Sequence, residues 1–184
     1  MQKIYFLAIL PTPAIQSEVT AFKFIARDRF NSSHALKSPA HITIIPPQRW
    51  ESSRVDWVKD HLGSWIANQK PFKITINGFA AFEPRVVFLR IEENGPLNDF
   101  QQGSVRFISH LLEKKEERPF HPHMTVAFKD LDRRRLAEDW KYFMEKVYLA
   151  TFEVDALHLL HHTGGRWEIM GRWLLGKPDG FIQG

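Results

Sequence analysis

The feature that most limits what this chain can become is a repeat. Residues 3–9 (Lys-Ile-Tyr-Phe-Leu-Ala-Ile) and 85–91 (Arg-Val-Val-Phe-Leu-Arg-Ile) match in character at most positions, 82 residues apart. A second pair, His41-Ile-Thr-Ile and His123-Met-Thr-Val, stands at the same offset of 82. Self-similarity at a fixed period marks an internal duplication. With two copies in 184 residues, the expected result is two lobes facing each other and not a solenoid. The junction is expected near residues 80–84, giving one domain over 1–184 whose repeats span approximately 1–80 and 85–175.

Each half reads strand, helix, strand, helix, strand. Residues 3–10 form an apolar run that ends at Pro11 and reads as a buried strand. Thr12-Pro13 then starts a helix, a capping hydroxyl followed by proline at the first helical position. Ile15, Val19, Phe22 and Ala26 line one face of that helix, which ends near Phe30. Residues 31–40 are a loop, 41–45 a short strand stopped by Pro46-Pro47, and Ser52-Ser53 caps a helix carrying Val55, Val58, Leu62 and Trp65. Residues 72–77 alternate as a half-buried strand does. In the second half, Asn94-Gly95-Pro96 reads as a loop, and a helix follows with Val105, Ile108 and Leu112 on one face. A strand at 123–127 precedes a helix through Leu136, Trp140, Phe143 and Val147. Strands at 154–160 and 166–175 are joined by the turn Thr163-Gly164-Gly165. The fold class is α+β: two pseudo-symmetric lobes, each an antiparallel sheet with helices outside, around a central cleft.

In a strand, residues two apart point to one face. His41 and Thr43 therefore project together, as do His123 and Thr125, while Ile42, Ile44, Met124 and Val126 turn into the core. A pseudo-twofold axis would bring both sets together across the cleft. A third copy, His161-His162-Thr163, sits at a glycine hairpin without a repeat partner, and a functional role is not expected of it. Two imidazoles with unperturbed pKa near ~6.5 suit a base and an acid around neutral pH.

These two His-x-Thr strands, in a duplicated chain of this size, resemble the two-histidine (2H) phosphoesterases, which include bacterial 2′-5′ RNA ligase-like proteins and cyclic nucleotide phosphodiesterases. The likeness covers almost the whole chain, and Pro122 precedes the second motif as is common there. It implies a bilobal fold with His41 and His123 as catalytic acid and base. It further implies that Thr43 and Thr125 hold the phosphate, that no metal or other cofactor takes part, and that the substrate is RNA or a small nucleotide with a cyclic or 2′-5′ phosphodiester. Some RNA-processing members carry arginine shortly after the second motif; this chain has Lys129 near that place. Arginine and lysine differ where bidentate phosphate contact matters.

Other residues are candidates for substrate contact. His121, in His121-Pro122-His123, is expected at the rim and not in a metal site, since no carboxylate partners stand at suitable spacing. Phe120, Trp50 and Trp167 could stack a base, with core packing the favoured reading for each. Arg133-Arg134-Arg135 opens a helix and reads as a solvated face with RNA backbone contact as the alternative. Residues 113–118 (Glu-Lys-Lys-Glu-Glu-Arg) read as an exposed helix end and loop, or else as a flap leading into the second motif.

Composition removes other chemistries. The chain has no cysteine, which excludes disulfides, thiolate metal sites and a cysteine nucleophile. Neither Gly-x-x-x-x-Gly-Lys-Ser/Thr, Gly-x-Gly-x-x-Gly nor Gly-x-Ser-x-Gly occurs, so ATP-driven ligation, dinucleotide binding and acyl hydrolysis have no support. A formal charge of +4 suits an anionic substrate without specifying one. No run approaches the ~18 apolar residues of a membrane span, so a cytoplasmic monomer with no membrane partner is expected. The rival function is a non-catalytic module that holds RNA or a nucleotide in the same cleft; two paired proton-transfer groups argue against it.

Overall fold

The computed structural model describes residues 2–83, 86–113, 118–132 and 136–184. Within them the chain runs β1 (Lys3–Ile9), α1 (Pro13–Phe30), β2 (Ile42–Trp50), α2 (Ser52–Ile66), β3 (Phe72–Phe82), β4 (Val86–Ile91), α3 (Gly95–Phe107), β5 (His123–Phe128), α4 (Leu136–Met144), β6 (Leu149–Val154), β7 (Ala156–Thr163), β8 (Arg166–Leu174) and β9 (Ile182–Gln183), with short 3₁₀ turns at His34–Lys37 and Ser109–Leu111. The strands form one sheet in the order β6-β3-β4-β5-β2-β1-β7-β8-β9. Every neighbouring pair is antiparallel.

The strand order follows a matching pattern on its two sides. Reading outward from the β5–β2 junction gives β4, β3, β6 on one side and β1, β7, β8 on the other. β3 of the first half pairs with β4, the opening strand of the second, and β7, which lies at the offset of 82 from β3, pairs with β1. The helices exchange in the same sense, α1 packing over β5 and α3 over β2. The halves therefore interlock, although β2 and β5 themselves meet through a single registered pair, Ile42 with Met124.

The sheet has two unlike faces. Tyr5, Leu7, Ile9, Ile42, Ile44, Leu89, Met124 and Val126 join Ile15, Val19, Val58, Leu62 and Phe100 of the helices in the main core. Phe6, Ala8 and Leu160 form a smaller cluster, with Trp167 against it. The last five residues of β1 are buried, which explains why the strand reads as an unbroken apolar run. Among the described residues, no helix is long and apolar enough to cross a membrane.

Local differences from the sequence reading have physical causes. β2 runs through Pro46-Pro47 to Trp50. The ladder with β1 shifts register opposite the prolines. On the other side β2 pairs with β5 only at Ile42, so the missing N–H groups cost no ladder bond there. Asn94 is not loop but the N-cap of α3, its Oδ1 accepting from Leu97 N–H (2.9 Å), with proline in the first helical turn. α3 stops at Phe107, so Leu112 lies beyond it. Val147 is 97% exposed beyond α4, and a strand absent from the reading, β6, follows to pair with β3. The turn after β7 is as expected, with Gly164 and Gly165 both at positive φ.

Trp50 does not lie where a substrate could reach it. It is fully buried, stacks near Tyr5 at 6.1 Å and donates its indole N–H to the Leu111 carbonyl at 3.0 Å. It is a core residue and not a substrate contact. Trp50→Ala should cost about 3–5 kcal/mol of stability, read as a lowered urea midpoint. A change below ~0.5 kcal/mol, the range typical of surface sites, would place the ring outside the core.

Candidate active site

Both motif histidines are fixed by the same device. His41 directly precedes β2, and its Nδ1 lies 2.8 Å from the Pro39 carbonyl oxygen. His123 opens β5, and its Nδ1 lies 2.7 Å from the His121 carbonyl oxygen. A carbonyl can only accept, so Nδ1 carries the proton in both neutral rings and Nε2 is left as the nitrogen able to accept one. A phenylalanine backs each ring: Phe6 stands 4.9 Å from His41, and Phe88 stands 5.2 Å from His123. Phe6 and Phe88, Pro39 and His121, and His41 and His123 are all separated by 82 residues. Phe82 adds a second ring 5.3 Å from His123, edge-on.

The pairing of Ile42 with Met124 sets the relation between the motifs. That antiparallel register places His41 across from Thr125, and Thr43 across from His123, all on the face opposite the main core. Thr43 is registered with Ala8, whose small side chain leaves space beside the hydroxyl, and Thr125 with Phe88. Both threonines are half-buried. Four groups suited to phosphate chemistry thus border the seam where the two halves of the sheet meet.

The loop carrying His41 is braced by three side chains, two from α1 and one from beyond β5. Gln16 of α1 grips Ala40 through both ends of its amide, Nε2 donating to the carbonyl (2.6 Å) and Oε1 accepting from the N–H (2.8 Å). Lys23, seven residues on, donates Nζ–H to the Ser38 carbonyl at 2.9 Å. Beyond β5, the Asp130 carboxylate accepts from the Ser32 hydroxyl (2.6 Å) and from the N–H groups of Ser33 (2.9 Å) and His34 (2.8 Å). Burial pushes the Asp130 carboxyl up, but these donors outweigh it and hold the group below its usual range.

Burial lowers the basicity of both motif histidines. His41 is pushed down to about 4 by desolvation, with Lys23 and His123 adding repulsion and the bond to Pro39 opposing them. His123 is also lowered by desolvation, against the bond to the His121 carbonyl. A third histidine on this face, His158, was not singled out by sequence. Lying in β7, it is registered with Ala8, its Nδ1 is buried with no partner among the described residues, and burial pushes it to about 4, with Arg172 adding and Asp155 and a bond to the Ala8 backbone opposing. The signal for it lies in the alternation of His158, Leu160 and His162, legible only once β7 is known to extend to Thr163.

The remaining candidates scatter. His121 is exposed, with Phe82 at 4.9 Å, and contributes its backbone carbonyl to His123. Phe120 is half-buried against the main core. Trp167 is half-buried, edge-on to Phe6 at 4.6 Å and 5.1 Å from His162. His161 turns the other way and stacks near Tyr5 at 6.3 Å. Lys129 is exposed after β5 at φ 70° and near enough to His34 to repel its proton. Arg133-Arg134-Arg135 and residues 114–117 of the charged run lie outside the described residues.

Comparison with known proteins gives one consistent neighbourhood. The model of the 2′-5′ RNA ligase superfamily matches residues 11–166. A protein of Bacillus licheniformis assigned by name to the phosphoesterases is 27% identical over 180 residues, covering 94% of this chain and 98% of its own. Among solved structures, Escherichia coli LigT in complex with 3′-AMP is similar at a TM-score of 0.69 and 16% identity, over 96% of this chain and 100% of that one. A Thermus thermophilus protein is similar at a TM-score of 0.65 and 20% identity, over 96% and 98%.

The histidine shifts make stability depend on pH with a definite sign. His41 and His158 bind protons more tightly unfolded, near ~6.5, than folded, near about 4. Their penalty is absent above pH ~6.5 and grows as the pH falls towards 4. The melting temperature should therefore drop between these limits, and His158→Leu should flatten the slope by about one proton. An unchanged slope in that variant would show that His158 is not held neutral.

Proposed function

Because the chain belongs to the 2′-5′ RNA ligase superfamily, we propose that it is a metal-independent phosphoesterase acting on a cyclic or 2′-5′ phosphodiester of RNA or a small nucleotide. The observation that carries this reading is the duplicated histidine. In each half an Nδ1–H is tied to a carbonyl, which leaves Nε2 available, and strand register puts a threonine on the same face of the sheet. Similarity to LigT, whose structures include complexes with 3′-AMP, ATP and NADP+, supports a nucleotide as the ligand class.

In hydrolysis of a 2′,3′-cyclic phosphate, one neutral Nε2 takes a proton from the attacking water as its oxygen bonds to phosphorus. The other imidazole, protonated, gives its proton to the departing ribose oxygen as the P–O bond breaks. Proton transfers of this kind are each worth roughly 10²–10⁴-fold in rate. Thr43 and Thr125 donate to the non-bridging oxygens, where negative charge accumulates. With a ribose hydroxyl in place of water, the same groups form a 2′-5′ bond.

The test is turnover of 2′,3′-cyclic mononucleotides, a short RNA with a 2′,3′-cyclic end and a 2′-5′ dinucleotide, in EDTA. His41→Ala or His123→Ala should each lower kcat about 10²–10⁴-fold without loss of fold by circular dichroism. Near wild-type turnover in either variant would refute the two-histidine mechanism. Ligand binding without turnover in the wild type would favour the non-catalytic module.

The pH dependence follows from the same lowered basicities. Reaction needs one ring charged and one neutral, and both rings sit below their usual range, His41 at about 4. The kcat/KM profile should be bell-shaped, with its maximum on the acid side of ~6.5, because it reports the free enzyme. A maximum above pH 8 would contradict these environments.

A further inference from the structure

We propose that the cavity beside His41, floored by Lys23, is a second anion subsite that holds a phosphate one nucleoside removed from the reacting one. This rests on the phosphoesterase reading above and extends it from a mononucleotide to a substrate with at least two phosphates.

The cavity has a volume of about 440 Å³, between α1, the loop before β2 and the start of β8. That is within the size range of small-molecule sites. Lys23 is its chemical centre. The residue is 2% exposed, yet among the described residues its ammonium makes one hydrogen bond, to the Ser38 carbonyl. Two N–H donors and a full charge are left without a counterion in a setting where burying a charge is costly. Desolvation accordingly pushes the Lys23 pKa down to about 8. Lys37 and Arg166 line the same cavity against one carboxylate, Glu168, so its charge favours an anion.

Its position ties it to the catalytic residues. Pro39 lines the cavity, and the same residue's carbonyl holds His41 Nδ1. Trp167 forms another wall and meets Phe6, the ring that backs His41. An anion here lies next to the reacting phosphate, and Trp167 offers an apolar face to the connecting nucleoside.

The cavity also breaks the symmetry of the duplication. The counterparts of Gln16, Thr20 and Lys23 at the offset of 82 are Asn98, Gln102 and Val105. The paired His-x-Thr motifs do not distinguish one end of a substrate from the other; a cation buried in one half does.

The experiment compares kcat/KM for adenosine 2′,3′-cyclic phosphate, the same compound bearing a 5′-phosphate, and the dinucleotide ApA ending in a 2′,3′-cyclic phosphate. The second phosphate should raise kcat/KM about tenfold or more, as charge-assisted contacts do. The better of the two longer substrates shows whether a terminal or a bridging phosphate is preferred. Lys37→Gln with Arg166→Gln, both exposed, should collapse that ratio towards one, and Lys23→Met should do the same. Ratios near one in the wild type overturn the subsite. A large wild-type ratio unchanged in the variants overturns it too, because the second phosphate would then bind elsewhere. If no substrate is turned over, the phosphoesterase reading fails separately. Calorimetric binding of the same three compounds then decides the subsite: an advantage of the longer ligands that the variants lose supports it, and equal affinities overturn it.

Discussion

The structure depends on the place where β2 and β5 touch. The ladders on either side of it, β1 with β2 and β4 with β5, each join several residues; here one pair, Ile42 with Met124, joins the two sides. Ile42 and Met124 are anchored in the core beneath. Strand alternation then sends His41, Thr43, His123 and Thr125 to the opposite face. A longer ladder would close the seam, and no pairing at all would leave the relation between the motifs unset.

The interlocking of the halves makes so slender a junction sufficient. β3 and β7 each cross to the other side of the sheet, and α1 and α3 each cover the motif strand of the other half. Asp130, just past β5, holds the loop that leads towards His41. The seam is thus fixed from behind and from its ends, leaving its open face to the imidazoles and hydroxyls.

Low basicity is inherent in this construction. Each imidazole is packed against phenylalanine and held by a carbonyl, which fixes the tautomer but only partly offsets desolvation. An anion placed between the rings would oppose that desolvation, because a nearby opposite charge favours a charged imidazole. Lys23 follows the same logic one step further out. It is a buried cation that braces the loop of His41 and lines the cavity beside it.

The sequence by itself determined the α+β class and the strands that carry the two His-x-Thr motifs, because strand alternation is a local property of the chain, and the fixed offset of 82 is its ground for expecting a duplication. It also placed α1, α2 and the Gly164-Gly165 hairpin, since apolar spacing and turn residues act over a few positions, but the capping it expected is absent: Thr12 makes no side-chain cap bond, and Ser52-Ser53 lie inside α2 behind Glu51 as N-cap. It did not foretell that β2 passes through Pro46-Pro47, which depends on whether a neighbouring strand needs those N–H groups. It did not separate Trp50 in the core from Trp167 beside the cavity, as both are aromatics in strands and only packing sorts them. His158, the Gln16 and Lys23 brace, and the exchange of β3 and β7 belong wholly to the tertiary structure. Each is a contact between residues far apart in sequence, and burial, which sets the chemistry of His41 and Lys23, exists only once the chain has closed over them.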